Sequence, residues 1–276
     1  MNREPMPSLT PHDIEQYHSQ GYLIPAFALP QAQVDVLREA MDKLIRDNPG
    51  VRPEKLVSAH ALGKDGGKND EGVQGSRAFL DLAMEPAILD LVEQLIGPDI
   101  ILWGCHVFCK PAGDGQETPW HQDGHYWPMR PLATCTVWVA LDESTVENGC
   151  LRVIPKSHAA KFTHPHLLED RTDLVLNLRT RDDAFDESEA VNLQLQPGQM
   201  SMHDVFMIHG AAVNRSTKRR AGVALRYMPG TSVFERDISP VGGKSGVPTA
   251  FATRPLWLLR GQDKTGRNDF TAGHYK

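Results

Sequence analysis

Four side chains in this sequence have the types and spacing of an oxygen-activating metal centre. His121 and Asp123 share the tripeptide His121-Gln122-Asp123, His209 follows 88 residues after His121, and Arg220 lies 11 residues further on. If residues 121–123 are extended, the two-residue strand period turns the imidazole and the carboxylate to one face, where both reach one ion. A second imidazole completes three ligands on one side of an Fe(II), leaving the opposite positions open for a co-substrate and O2. The same ligands around zinc would carry a bound water and hydrolytic chemistry. In a chain with 12 His an isolated H-x-D triplet arises easily by chance, so the surrounding sequence has to decide.

That surrounding sequence is Trp120-His121-Gln122-Asp123-Gly124-His125-Tyr126-Trp127, then Thr134-Cys135-Thr136-Val137-Trp138-Val139-Ala140-Leu141-Asp142, then Glu147-Asn148-Gly149-Cys150-Leu151-Arg152-Val153-Ile154-Pro155-Lys156-Ser157-His158. Together with Pro197-Gly198, Asn214-Arg215-Ser216 and Tyr227, these segments resemble the phytanoyl-CoA dioxygenase family of Fe(II)/2-oxoglutarate oxygenases. The likeness is close in the second half of the chain and only one of pattern in the first. It implies a double-stranded β-helix, or jelly roll, and an enzyme coupling O2 and 2-oxoglutarate consumption to hydroxylation of an unactivated C–H bond. It also implies that His121, Asp123 and His209 hold the iron. Retention of Asp123 favours hydroxylation over chlorination, because halogenating relatives replace that carboxylate with a small residue.

The far carboxylate of 2-oxoglutarate calls for a guanidinium, whose parallel donors match both oxygens, and Arg220 is the family match. Its neighbour Arg219 should face the other way, toward solvent or a surface carboxylate. The family often carries a hydroxyl two residues after the distal His. Ala211 stands there, which leaves Thr118 or Thr136 to supply one. Trp138 matches an aromatic that lines the co-substrate pocket, with an ordinary core Trp as the plainer alternative. His106 shares a strand face with Phe108 and Lys110, and is expected either at the co-substrate or as a core His bonded to backbone. Asn214 and Gly149 fall at positions that read as architectural.

For the substrate, Tyr126 and Trp127 sit just past the ligands, where an aromatic wall suits a cationic or apolar group. Gln122 points away from the metal in a regular strand and, where the strand end twists, takes either a supporting role behind the ligands or a substrate role. His125, His158 and His203 read as hydrogen-bonded structural residues. The segments around the ligands are most similar to the bacterial small-substrate branch, which points to an aminoalkylphosphonate or its N-trimethyl form, hydroxylated next to phosphorus. The alternative is a betaine or an amino-acid derivative. Lys64, Lys68, Arg77, Arg152 and Arg179 are the cations available for an anionic group. A cupin-like protein that binds without turnover is a third reading.

The elements that must position these residues run from helices to strands. Thr10-Pro11-His12-Asp13 carries a capping hydroxyl, a Pro at the first helical position and a carboxylate at the third, predicting a helix over 11–20 that Gly21 ends. Apolar periodicity predicts helices over 31–47 and 86–96. Residues 63–72 are polar and glycine-rich, and read as a loop: a solvated connection or a flap over the site. Strand-like runs follow at 100–110, 134–141, 150–154, 191–195, 200–208 and 222–227, fitting a mainly β architecture with flanking helices. One domain over 1–276 accommodates this length.

With 29 Lys and Arg against 35 Asp and Glu, the net charge of −6 and the lack of a basic block disfavour nucleic acid and anionic membranes as partners. A small-molecule substrate fits better, and without a signal-like hydrophobic start the expected location is the cytoplasm. Four Cys without C-x-x-C spacing indicate neither a disulfide framework nor a zinc knuckle.

Overall fold

The computed structural model of the chain describes residues 7–238 and 250–275. The first helix, Pro11–Gln20, begins and ends on local signals. The Thr10 hydroxyl accepts from the Asp13 amide, the Asp13 carboxylate accepts from the Thr10 amide at 2.8 Å, and Gly21 closes the helix at φ +86°. Helix Gln31–Asp47 buries Val34, Leu37, Met41 and Leu44, and helix Pro86–Ile96 buries Ile88, Leu91, Val92 and Leu95 among others. A further helix, Arg77–Ala83, has no counterpart in the sequence reading. Seven residues are too few to display a helical period, and Phe79, Leu80, Leu82 and Ala83 are all buried.

Two main antiparallel sheets follow, beside two small two-stranded ones. The larger has seven strands, running in the order Tyr22–Leu23, Met200–Asp204, Cys135–Ala140, Arg220–Pro229, Ile100–Lys110 and Trp257–Arg260, with Leu56–Val57 also paired to Ile100–Lys110. The smaller has four, in the order Val191–Leu193, Leu151–Val153, Ile208–Ala211 and Thr118–Gln122. This mainly β arrangement with helices on one side is the double-stranded β-helix.

Strand parity separates packing from chemistry. Along Arg220–Pro229, the side chains of Ala221, Val223, Leu225 and Tyr227 enter the core shared with the helices. Each large aliphatic buried there contributes roughly 1.5–3 kcal/mol. The Tyr227 hydroxyl keeps a partner by donating to the Ala83 carbonyl at 2.9 Å. The alternate residues Arg220, Gly222, Ala224 and Arg226 therefore turn toward the space between the sheets.

Two expectations need correction. The run 200–208 is not one strand: it breaks after Asp204, whose carboxylate accepts from the Phe206 amide at 2.9 Å, and its halves join different sheets. An Asx turn supplies the corner. The extended conformation assumed for residues 121–123 also stops early, since strand Thr118–Gln122 ends one residue before Asp123, which opens a 3-10 turn over Asp123–His125. The carboxylate reaches the imidazole's side through that turn instead of through the pleat.

Candidate metal centre and its two cavities

His121 and His209 face one another in register across adjacent strands, with ring centroids 4.2 Å apart. Asp123 lies beside both, its carboxylate oxygens 3.6 Å from His121 Nε2 and 3.9 Å from His209 Nε2. One ligand atom from each of the three residues lies within 4.8 Å of the others, and all three residues are buried. Backbone acceptors orient the rings: His121 Nδ1 donates to the Pro119 carbonyl at 2.8 Å and His209 Nδ1 to the Met207 carbonyl at 3.0 Å. Those bonds leave each Nε2 lone pair free for a cation. Burial, aided by the nearby His121, pushes the His209 pKa well down. Burial alone would raise the Asp123 pKa, but His209 and its other neighbours hold it well below the usual carboxylate range. Two imidazoles and one carboxylate are a donor set that fits Fe(II).

A first cavity opens from this centre between the sheets, lined by Arg220, Trp138, Thr118, Thr136, Ala211 and His203 among others. Arg220 is 3% exposed, and its guanidinium lies 5.1 Å above the Trp138 ring. Its Nε has no acceptor, and neither does the buried Thr136 hydroxyl. Burial lowers the Arg220 pKa to about 10, which still leaves it charged at neutral pH. A buried cation and a buried hydroxyl, both without acceptors and facing a metal-type triad, fit the far carboxylate of 2-oxoglutarate. Arg219 faces the other way and pairs with Asp142 and Asp42. Ala211 offers no hydroxyl, but its backbone is pinned: the buried Lys110 ammonium donates to the carbonyls of Gln116, Ala211 and Ala212.

A second cavity meets the first at His121 and Asp123, and is lined by Trp103, His106, Tyr126, Trp127, Arg226 and Arg254 among others. Tyr126 and Trp127 are thus part of this second cavity's wall. His106 lines the second cavity and not the first: its Nε2 donates to the Glu54 carbonyl at 3.1 Å and its ring stacks on Phe108 at 3.9 Å. Gln122 reaches neither cavity. Strand alternation sends it behind the ligands, where it donates to the Phe206 and Phe162 carbonyls and accepts from the His164 amide.

His203 also departs from expectation. It lacks a hydrogen-bond partner at either ring nitrogen, is buried, and points Nε2 at Asp123 from 3.7 Å. By contrast, His158 bonds to the His18 carbonyl and His125 stacks on His166. Asn214 donates to the Pro111 and Lys218 carbonyls in the turn after the distal ligand. Gly149 sits at φ +79° with the Ala212 carbonyl where a side chain would begin. The five cations proposed from sequence line neither cavity. Arg77, Arg152 and Arg179 pair with carboxylates, and Lys64 and Lys68 are exposed. Arg226 and Arg254 were missed. Arg226 was within reach of the sequence, because it stands six residues from Arg220 and so shares its strand face.

The profile of the phytanoyl-CoA dioxygenase (PhyH) family matches residues 17–222, which span most of the chain and contain all three ligands and Arg220. The chain belongs to the phytanoyl-CoA dioxygenase family. It is therefore an Fe(II)/2-oxoglutarate-dependent dioxygenase, with His121, Asp123 and His209 as the facial triad. Among relatives, the peroxisomal phytanoyl-CoA dioxygenase of Homo sapiens is 25% identical over 271 residues, covering 88% of this chain and 79% of that one. A probable alpha-ketoglutarate-dependent hypophosphite dioxygenase of Stutzerimonas stutzeri is 29% identical over 151 residues, 54% of this chain and 52% of that protein. Among solved structures, the apo form of the non-heme monooxygenase ThoJ superposes with a TM-score of 0.68 at 24% identity, covering 95% of this chain and 86% of that one. Among the described residues, no helix of this family member is long and apolar enough to cross a membrane.

Proposed function

We propose that the protein is a hydroxylase of a small polar metabolite, working as one catalytic domain over residues 1–276. The substrate class we favour is an aminoalkylphosphonate or its N-trimethyl form, hydroxylated at the carbon next to phosphorus. The observation that carries the reading is the pair of cavities meeting at the triad, one ending on Arg220 and the other walled by Trp103, Tyr126 and Trp127. Aromatic faces suit an ammonium or trimethylammonium group. The similarity to a hypophosphite dioxygenase supports a phosphorus oxyanion. A betaine or amino-acid derivative is the second reading, since it offers the same ammonium to the same wall.

In this proposal each residue has a task. His121, Asp123 and His209 would hold the iron, which with 2-oxoglutarate and O2 supplies the oxidising power for the C–H bond. Arg220 and the Thr136 or Thr118 hydroxyl would take the far carboxylate, so that the co-substrate lies in one orientation. Buried indoles keep water from the reacting carbon, and the second cavity decides which C–H bond is presented. Four buried free thiols fit the reducing cytoplasm as the compartment.

Anaerobic loading with Fe(II) and 2-oxoglutarate, followed by exposure to O2 with a panel of small metabolites, tests the reading. The expected product from 2-aminoethylphosphonate is heavier by about 16 mass units, one oxygen atom, with one succinate formed per product. Coupled turnover of a betaine or amino-acid derivative alone would replace the phosphonate reading with the second one.

A further inference from the structure

We propose that Arg226 is the substrate's anion anchor, holding its phosphonate or carboxylate beside the triad so that the carbon next to that group is the one presented for oxidation. This rests on the reading of the second cavity as the substrate side.

Arg226 and Arg220 are on one face of one strand, with Cα atoms separated by six residues, roughly 20 Å of extended chain. Both are held over indoles. Arg220 covers Trp138, whereas the Arg226 guanidinium lies 4.8 Å from the Trp127 ring and 5.6 Å from the Trp103 ring. Trp103 and Trp127 line the second cavity only, so they fix the guanidinium on the substrate side although Arg226 touches both cavities. Its Nε is sealed and has no acceptor, and among the described residues no carboxylate pairs with it.

The other cation of that cavity is not available. Arg254 is buried in an ion pair with Glu71, which also accepts from the Ala250 amide. Asp123 is the acidic group that acts most on Arg226, opposing the effect of burial. Once Asp123 shares its charge with a divalent metal, that compensation falls and Arg226 is left as an unmatched cation in a half-buried place. A cation partly removed from water without a partner is costly to the fold, and a ligand oxyanion answers it. Because Arg226 and Asp123 both line the two cavities where they meet, an anion bound at Arg226 presents its neighbouring carbon toward the metal side.

The test uses the wild-type protein loaded anaerobically with Fe(II) and 2-oxoglutarate. The probes are 2-aminoethylphosphonate, its carboxylate counterpart β-alanine, and ethylamine, which lacks the anion. Binding is read from indole fluorescence, since Trp103 and Trp127 flank the anchor, and by calorimetry. One or both acids should bind saturably and ethylamine should not; which acid binds distinguishes phosphonate from carboxylate substrates. Arg226→Gln should weaken that binding at least tenfold while 2-oxoglutarate affinity stays within twofold, and Arg226→Lys should restore part of the loss.

Wild-type affinity for the acids in Arg226→Gln, a loss that falls on 2-oxoglutarate instead, or failure of both acids to bind the wild type would each overturn the anchor. Should Arg226→Gln not fold, the same comparison is read on Arg226→Lys, whose unchanged affinity for the acids would equally overturn it. The underlying reading fails separately, if the wild type does not bind 2-oxoglutarate or if Arg220→Gln binds it unchanged.

Discussion

The Trp138 indole occupies the space that a side chain on Gly222 would need: a Cβ built on Gly222 would lie 2.1 Å from Trp138 Cζ2. The two residues are near neighbours on paired strands, and this contact fits the indole beneath Arg220. Gly222→Ala should therefore displace Trp138 and cost about 1–3 kcal/mol of stability, the usual range for overpacking. The accompanying expectation is weaker 2-oxoglutarate binding, because Arg220 loses its support. Urea unfolding and a 2-oxoglutarate titration check both. Unchanged values in the two measurements would show that the indole has room to move.

Replacing His121, Asp123 or His209 with Ala removes a direct metal bond. Fe(II) affinity should fall by more than roughly 100-fold, the upper range for loss of a mere outer-shell partner. Equilibrium binding of Fe(II) under anaerobic conditions measures it. A variant that retains wild-type affinity removes its residue from the ligand set.

Arg220→Ala should weaken 2-oxoglutarate binding by roughly 10- to 150-fold, the equivalent of a charge-assisted hydrogen bond of about 1.5–3 kcal/mol. Fe(II) affinity should stay near wild type, since no metal bond is lost. Lys should substitute poorly, as its point charge lacks the planar fork. If the 2-oxoglutarate requirement is unchanged, the far carboxylate lies elsewhere, and His203 becomes the next residue to vary.

The glycine-rich stretch is anchored at its end. Glu71 is buried against Arg254, and Asn69 ties the segment to the Ser58 carbonyl and to the Glu71 and Val73 amides. Removing one partner of a buried ion pair strands the other, so Glu71→Ala should cost about 3–5 kcal/mol. Arg254→Met with Glu71→Leu should recover much of that loss. Chemical denaturation of the three proteins decides it, and a single variant as stable as wild type would mean that water reaches the pair.

Stability should also depend on pH through His60. Burial, reinforced by the charge of Arg254, lowers its pKa from 6.5 to about 3. Below pH 6.5 the unfolded chain takes up a proton that the folded chain refuses until about pH 3, so stability falls as pH drops through that window. The slope is up to about 1.4 kcal/mol per unit, or about 2 kcal/mol between pH 6.5 and 5. His60→Leu should remove that part of the pH dependence. Denaturation curves at pH 7 and pH 5 that differ equally in variant and wild type would assign the effect to other groups.

What the sequence disclosed and what it withheld divide along the range of the interactions. Helix Pro11–Gln20 was legible to the residue because its cap, its first-turn Pro and its closing Gly are all local. The metal ligands were legible because two of them share a tripeptide and the third sits in a recognisable segment. Arg254 and Glu71, 183 residues apart, share no motif, and only the closed fold brings them together. Of the two places open to Gln122, strand parity alone points to the one behind the ligands, and the strand end does not twist enough to bring the side chain round to either cavity. His203 was read as structural because nothing local shows that the Asp204 corner aims its strand at the triad.

The ligands and the cations belong to different sheets: His121 and His209 to the four-stranded one, Arg220 and Arg226 to the seven-stranded one. The spacing between metal and guanidinium is consequently a property of how the sheets are stacked. Conservative changes among apolar residues that only space the sheets can detune the enzyme while every reacting group stays in place. A search for altered specificity therefore has reason to include such residues as well as the pocket walls.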